Sequence, residues 1–283
     1  MQSLNRKRIS HASLVTVPVA LQALVGAALL AHGVPAAAQD DSKATAYGLS
    51  GSLGVGAASL PTYEGSAKRR TVVGPDFSLS YRSKDWGSVE LGQRGLVWQA
   101  LEVDDFKLGL AAAIDPGRKT KEASTGDPTP GDKRLAGMGD VRASAEAGVL
   151  VGYGPLSLLA RKSLGDRGHK GAQVDLSAEF PFALIDTVGV RFGIGATWAD
   201  KRYMQTYFGV TPVQAQASRY RVYTPKAGVR KFEASVGAEY AFAQDWKLQA
   251  ALVWSRLAGD AQHSPLVARK SSSSAAVSIA YVF

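Results

Sequence analysis

Long stretches of the chain alternate apolar and polar residues with a period of two, the mark of a strand whose two faces meet different surroundings. Phe232, Ala234, Val236, Ala238, Tyr240 and Phe242 share one face, with Glu233, Ser235, Gly237 and Glu239 on the other. Trp246, Leu248, Ala250, Leu252 and Trp254 form a second apolar set, against Lys247, Gln249 and Ser255. Val188 to Trp198 repeats the pattern around Arg191, Val174 to Phe180 around Asp175 and Glu179, and Val141 to Tyr153 around Arg142 and Glu146. No comparable run carries helical periodicity, so the fold class is all-β.

Two architectures put such strands to use. In a soluble sandwich the apolar face is the core. In a membrane barrel it faces lipid, and the polar face lines the lumen. Three features favour the barrel. Aromatics sit at the ends of the apolar faces: Trp246 and Trp254 are eight residues apart, as are Phe232 and Tyr240, and Trp198 closes a third face. Eight residues of tilted strand span roughly 20 Å, the height of a lipid-facing band with its aromatic girdles. The middles of these faces are small or aliphatic, where a sandwich core needs bulk. Finally, acids and bases share the polar face at mid-strand.

Connections alternate between short and long. Short ones follow Tyr81, Val103, Tyr153, Leu184 and Ala243, and long ones lie at 60–70, 115–139, 164–171, 200–227 and 257–272. Short periplasmic turns and long external loops are the rule for outer-membrane barrels. The count is an antiparallel transmembrane β-barrel of about twelve strands, with ten as the alternative if Ser88–Gln93 and Leu96–Val103 do not form a pair.

The first residues add a destination. Arg6, Lys7 and Arg8 precede the apolar stretch Leu14–Ala31, and Ala36 and Ala38 give a small-x-small cleavage site before Gln39. Pro18 and Gln22 weaken a spanning helix. The expectation is a cleaved signal peptide over 1–38, a periplasmic tail over 39–45 and a barrel over 46–283, in the outer membrane of a Gram-negative bacterium. Removal of the leader lowers the net charge from +9 to +6. Cysteine is absent, which excludes disulfides and thiolate metal sites.

Charge divides with the connections. Lys68, Arg69, Arg70, Lys201 and Arg202 are among many basic residues in the long loops, where they are either solvated or in contact with the phosphates of lipopolysaccharide. Bases scattered over many loops do not make a nucleic-acid surface. Arg142, Glu146, Arg161, Asp175, Glu179, Arg191, Glu233 and Glu239 are expected in the lumen, either as a selectivity lining or as ion pairs. His169 and His263 have no partner at metal-ligand spacing, and adjacent His263 and Ser264 do not make a nucleophile and its base. The expectation is therefore no enzyme, no cofactor and no metal. Tyr207, Phe208 and Val210 are apolar enough to act as a plug.

Four stretches carry a resemblance. "PTYEGS" at 61–66 leads into "RRTVVGPDFSLSYR"; "YFGVTPVQAQAS" spans 207–218; "LAGDAQHSPLV" spans 257–267; and the last strand ends in Phe283. In order and spacing they resemble the MipA/OmpV family of outer-membrane proteins, with His263 as a departure where the family pattern has an acid before Ser-Pro. The resemblance implies a scaffold joining a lytic transglycosylase to a penicillin-binding protein in murein metabolism. A small channel, or a surface protein of adhesion or osmotic response, is the alternative. Ile279, Tyr281 and Phe283 also resemble the C-terminal signal read by the barrel-assembly machinery.

Overall fold

The computed structural model describes residues 47–92, 95–122 and 129–283. The expected leader (1–38) and tail (39–45) lie outside the described residues. Each alternating segment becomes a strand: β1 (Gly48–Pro61), β2 (Arg69–Arg82), β3 (Ser88–Gly92), β4 (Gly95–Val103), β5 (Phe106–Asp115) and β6 (Ser144–Tyr153). β7 (Leu156–Ser163), β8 (Ala172–Ile185), β9 (Val188–Ala199), β10 (Gly228–Ala243), β11 (Trp246–Leu257) and β12 (Ser271–Val282) complete the set. Neighbours in sequence pair antiparallel throughout, and β1 pairs with β12 to close the barrel. The irregular β3–β4 pair is present, in register from Ser88↔Gln99 to Gly92↔Gly95, so the count is twelve.

Closure removes both sheet edges, so every ladder group along the seam finds a partner. Ser52↔Val282 to Ser59↔Ala275 sets the register, and Gly51 and Phe283 exchange two backbone bonds of 2.9 and 3.0 Å beyond it. Glycine is required here for space: a Cβ on Gly54 would sit 2.1 Å from the carbonyl oxygen of Ile279. That close approach explains the Gly-rich first strand.

The burial pattern fixes which side meets water. Leu53, Ile194 and Leu252 are 61%, 58% and 57% exposed, while lumen-facing Ser78 and Glu146 are almost fully buried. Leaving a large aliphatic side chain in water forfeits about 1.5–3 kcal/mol, so a continuous belt of them requires lipid. Among the described residues no helix is long and apolar enough to cross a membrane, and the crossing is made by strands. A closed barrel with an outward apolar belt is the outer-membrane kind.

Turns at one end are tight. Asp104 takes a positive φ of 50° between β4 and β5, a conformation that aspartate tolerates better than most residues. The other end carries the long connections, and therefore faces outward from the cell.

Candidate functional site

The long connections do not lie open. They pack on one another over the outer mouth of the barrel, and two helices between β9 and β10 organise them. Helix α1 (Lys201–Phe208) starts at Asp200, whose carboxylate accepts from the Tyr203 N–H at 2.8 Å. Helix α2 (Pro212–Ala217) starts with a capping box: Thr211 accepts from the Gln214 N–H, and the Gln214 side chain accepts from the Thr211 N–H. Proline at its first position supplies a ready helical φ.

Apolar side chains lock these helices down. Phe208, 1% exposed, packs with Ala199, Tyr203, Met204, Leu257 and Ala261. Val210 enters a second cluster with Tyr63, Leu135, Met138, Tyr220 and Leu266, drawn from four different connections. The tyrosine hydroxyls are satisfied across loops: Tyr63 donates to the Leu266 carbonyl and Tyr220 to that of Arg134, both at 2.8 Å. Asp132 accepts from Thr62 at 2.9 Å and from the Arg134 N–H at 2.8 Å.

Beneath the cap lies a polar network that ties it to the wall. Glu146 of β6 accepts from Arg161 of β7 at 3.0 Å, from His169 at 2.9 Å and from Gln173 of β8 at 3.2 Å. Arg161 also donates to Asp175 at 2.7 Å, which accepts from Thr197 of β9 at 2.7 Å. Arg230 of β10 donates to Gln173 at 3.0 Å and is bound by both carboxylate oxygens of Glu64, from the β1–β2 connection. Lys231 pairs with Glu233 at 2.8 Å and lies 3.6 Å from Glu64. The Tyr203 ring stacks under Arg230 and edge-on to His169, and the Tyr207 hydroxyl donates to Asp115.

Environment sets the ionisation of the cap. Burial drives the Tyr203 and Tyr207 phenols well above their ordinary value. Burial also pushes Tyr63 up to about 12, against the opposing pull of Arg134. For Glu64 burial acts upward, but Arg230 and Lys231 together outweigh it and hold the carboxyl below its ordinary value. Burial lowers the Arg118 guanidinium, whose Nη1 donates to the Tyr207 carbonyl at 2.7 Å.

Asp115, Glu146 and His169 bring three ligand-type atoms within 4.8 Å of one another. The hydrogen bonds argue against a metal there. His169 Nδ1 accepts from the Gly171 N–H at 3.1 Å, which places the ring proton on Nε2, and that proton is donated to Glu146. The nitrogen aimed at the cluster thus has no lone pair to offer, and Arg161 already neutralises Glu146.

Most of the expected lumen charges do face inward. Glu146, Arg161 and Asp175 form the network above, Glu233 pairs with Lys231, and Glu239 takes Lys247 and Gln249, with Glu179 and Arg191 half-buried nearby on β8 and β9. Arg142 does not: β6 begins at Ser144, and Arg142 is an exposed loop residue. Its parity matches the lumen face, but the pleat that would turn it inward has not yet begun.

The basic set divides too. Lys68 pairs with Glu122 at 2.7 Å, Lys201 and Arg202 are exposed on α1, and Arg69 opens β2 facing outward. Arg70 faces inward and donates to the Thr129 carbonyl at 3.3 Å, so it is turned away from the outer leaflet. Trp198, Phe232 and Trp254 are exposed at the outer ends of β9, β10 and β11. Tyr240 and Trp246 are exposed at the inner ends, where Trp246 packs edge-on against Tyr281 at 5.7 Å. Ile279 and Phe283 share that outward face of the seam. Phe208 and Val210 are buried within the cap, and Tyr207 is half-buried against the first cluster. His263 bonds the Gly259 carbonyl and Ser264 that of Phe208, so this adjacent pair points in two directions.

Sequence reading passed over Glu64, Asp115, Gln173 and Arg230. The register shift between Val229 and Lys231 explains Arg230: a bulge brings two consecutive residues inward, and simple alternation assigns one of them to lipid. The T-x-x-Q signature at Thr211–Gln214 was a legible signal for α2.

The fold is similar to solved outer-membrane proteins. An outer membrane channel from Pseudomonas putida F1 is 12% identical, with a TM-score of 0.40 over 87% of this chain and 100% of that one. OprD from Pseudomonas aeruginosa is 12% identical with a TM-score of 0.35, over 88% of this chain and 74% of its own. The translocator domain of autotransporter NalP from Neisseria meningitidis is 11% identical with a TM-score of 0.34, over 86% and 91% of the two chains. Comparison with curated protein sequences gives no match. The sequence profile described as "MltA-interacting protein MipA" matches residues 53–283, nearly the whole barrel, and the chain belongs to the MipA family.

Proposed function

We propose that this outer-membrane barrel is a non-enzymatic scaffold. It joins a lytic transglycosylase to a penicillin-binding protein at the periplasmic face. The observation that carries the reading is the cap. Connections from around the rim are hydrogen-bonded and packed over the outer mouth, an investment that suits a rigid platform better than a route for solutes. The family description, which names an interaction with MltA, supports the same reading.

The test is reciprocal capture from crosslinked envelopes of the native host, with the barrel as bait. Both murein enzymes should co-purify, and replacing the periplasmic turns with Gly-Ser should abolish capture while the barrel still assembles. Recovery of neither enzyme refutes the scaffold. The charged lumen under the cap favours a second reading, a channel gated by that cap. Discrete conductance steps from the unmodified barrel in planar bilayers would establish that reading over the first.

A further inference from the structure

Rim charges are paired where a carboxylate is within reach: Glu102 takes Arg82 and Lys107 at 3.0 and 3.2 Å at the inner rim, and Glu122 takes Lys68 at 2.7 Å among the outer connections. At the outer rim Arg69 faces outward from the start of β2 and lies flat across β1. Its Nε and Nη2 donate to Ser59, at 3.2 Å to Oγ and 3.0 Å to the carbonyl, and its Nη1 donates to the Ser273 carbonyl at 2.7 Å. Every one of these acceptors is neutral. Arg256 faces outward from β11, two positions beyond the girdle residue Trp254 and beside Phe232. It pairs in register with Ser271, which is two residues along β12 from Ser273. Both arginines are exposed, and neither has a carboxylate partner among the described residues.

We propose that Arg69 and Arg256 form a docking site on the barrel wall for the phosphate of an outer-leaflet lipid headgroup. Height selects the ligand. Residues just beyond an aromatic girdle sit among headgroups, where an arginine without a carboxylate meets phosphate. Arg69 is already held in place by the wall, so little side-chain entropy is lost when its free N–H is engaged. Ser271, opposite Arg256, and Ser273, whose carbonyl holds Arg69, share the outward face of β12, and the exposed Trp254, opposite Ser273, offers an apolar surface for the lipid's chains. Inorganic phosphate shares the chemistry but not the membrane anchor. The proposal goes beyond the scaffold reading and does not depend on it.

The test uses the full barrel in phosphatidylcholine vesicles doped with phosphatidic acid, with the affinity for spin-labelled phosphatidic acid as the readout. Loss of one charged contact lowers affinity about tenfold, so Arg256→Ala should bind about tenfold more weakly and R69A/R256A about a hundredfold. Arg256→Lys should recover part of the loss. The Arg256 side chain makes no hydrogen bond to another described residue, so that single variant decides the matter even if Arg69→Ala disturbs the seam. Three results would overturn the proposal: unchanged affinity in Arg256→Ala, an equal loss in the outer-rim control Lys162→Ala, or inorganic phosphate binding the wild type as tightly as the lipid does.

Discussion

Glu146→Gln is the most direct way to ask whether the polar network holds the cap. Glu146 has a side chain only 1% exposed and receives three donors, from Arg161, His169 and Gln173. Glutamine keeps the shape but removes the charge and replaces one acceptor oxygen with an amide that donates. Three incoming donors then compete for a single oxygen. The remaining oxygen turns to the Arg161 guanidinium, the strongest of the three donors, so the amide NH2 takes the place of Oε1 and the loss falls on His169 and Gln173, which both bond that atom. Two buried hydrogen bonds at about 1.5 kcal/mol each give about 3 kcal/mol, or an opening equilibrium raised about a hundredfold. The effect should reach α1, because His169 packs against Tyr203 at 4.8 Å and its carbonyl accepts from Thr206 at 3.4 Å. Hydrogen exchange by mass spectrometry on the barrel in nanodiscs reads this directly. Peptides over 164–171 and α1 should exchange about a hundredfold faster while β11 is unchanged. Glu239→Gln, which breaks a pair with Lys247 well below the cap, serves as the control. If α1 stays within twofold of wild type, or if the control loosens it equally, the network is not what secures the cap.

Phe208→Ala empties a fully buried site and should cost the cap about 3–5 kcal/mol, so that conductance steps absent from the wild type appear in planar bilayers. Glu64 is held below its ordinary 4.5, so its contribution is complete above that value and is lost as pH falls through the lowered one. The difference in cap exchange between wild type and Glu64→Gln, corrected for the intrinsic rate, should be constant above the ordinary value of 4.5 and shrink only below it; a difference that shrinks at higher pH would contradict the pairing with Arg230 and Lys231. Tyr63 is raised from 10.0 to about 12, so its support for the cap is complete below the ordinary phenol value and is lost as pH climbs toward the raised one. Ultraviolet titration of wild type against Tyr63→Phe should therefore differ by one phenol near that upper value. Arg142→Ala, at an exposed loop position, should change stability by less than about 0.5 kcal/mol, measured as the heating midpoint of the folded band on gels.

Strands and their lipid-facing sides were legible because both are local. Alternation with a period of two needs only neighbours in sequence, and a register slip would put every apolar side chain of a strand into the lumen. Hence the belt from Trp246 to Trp254 and the inward placement of Glu233 and Glu239 could be read from the chain, whereas alternation over the short β3–β4 pair is too poor to decide between twelve strands and ten, which only the fold settles. Arg142 shows the limit of parity where a strand's end is misplaced, and Arg230 shows it where a bulge resets the phase.

The cap belongs to a different order of information. Arg230 and Glu64 are 166 positions apart, and Tyr63 and Leu266 are 203 apart, each in a stretch with no periodicity to announce its partner. Sequence by itself determined that the chain closes a barrel in a membrane, because the energetic demand for an apolar outer face repeats in every strand. Only the tertiary structure decided that the outer mouth is covered, that His169 serves Glu146 as a donor, and that Arg69 lies across β1 to reach Ser273. Those outcomes depend on which loops closure brings together, and a linear pattern carries no term for that distance.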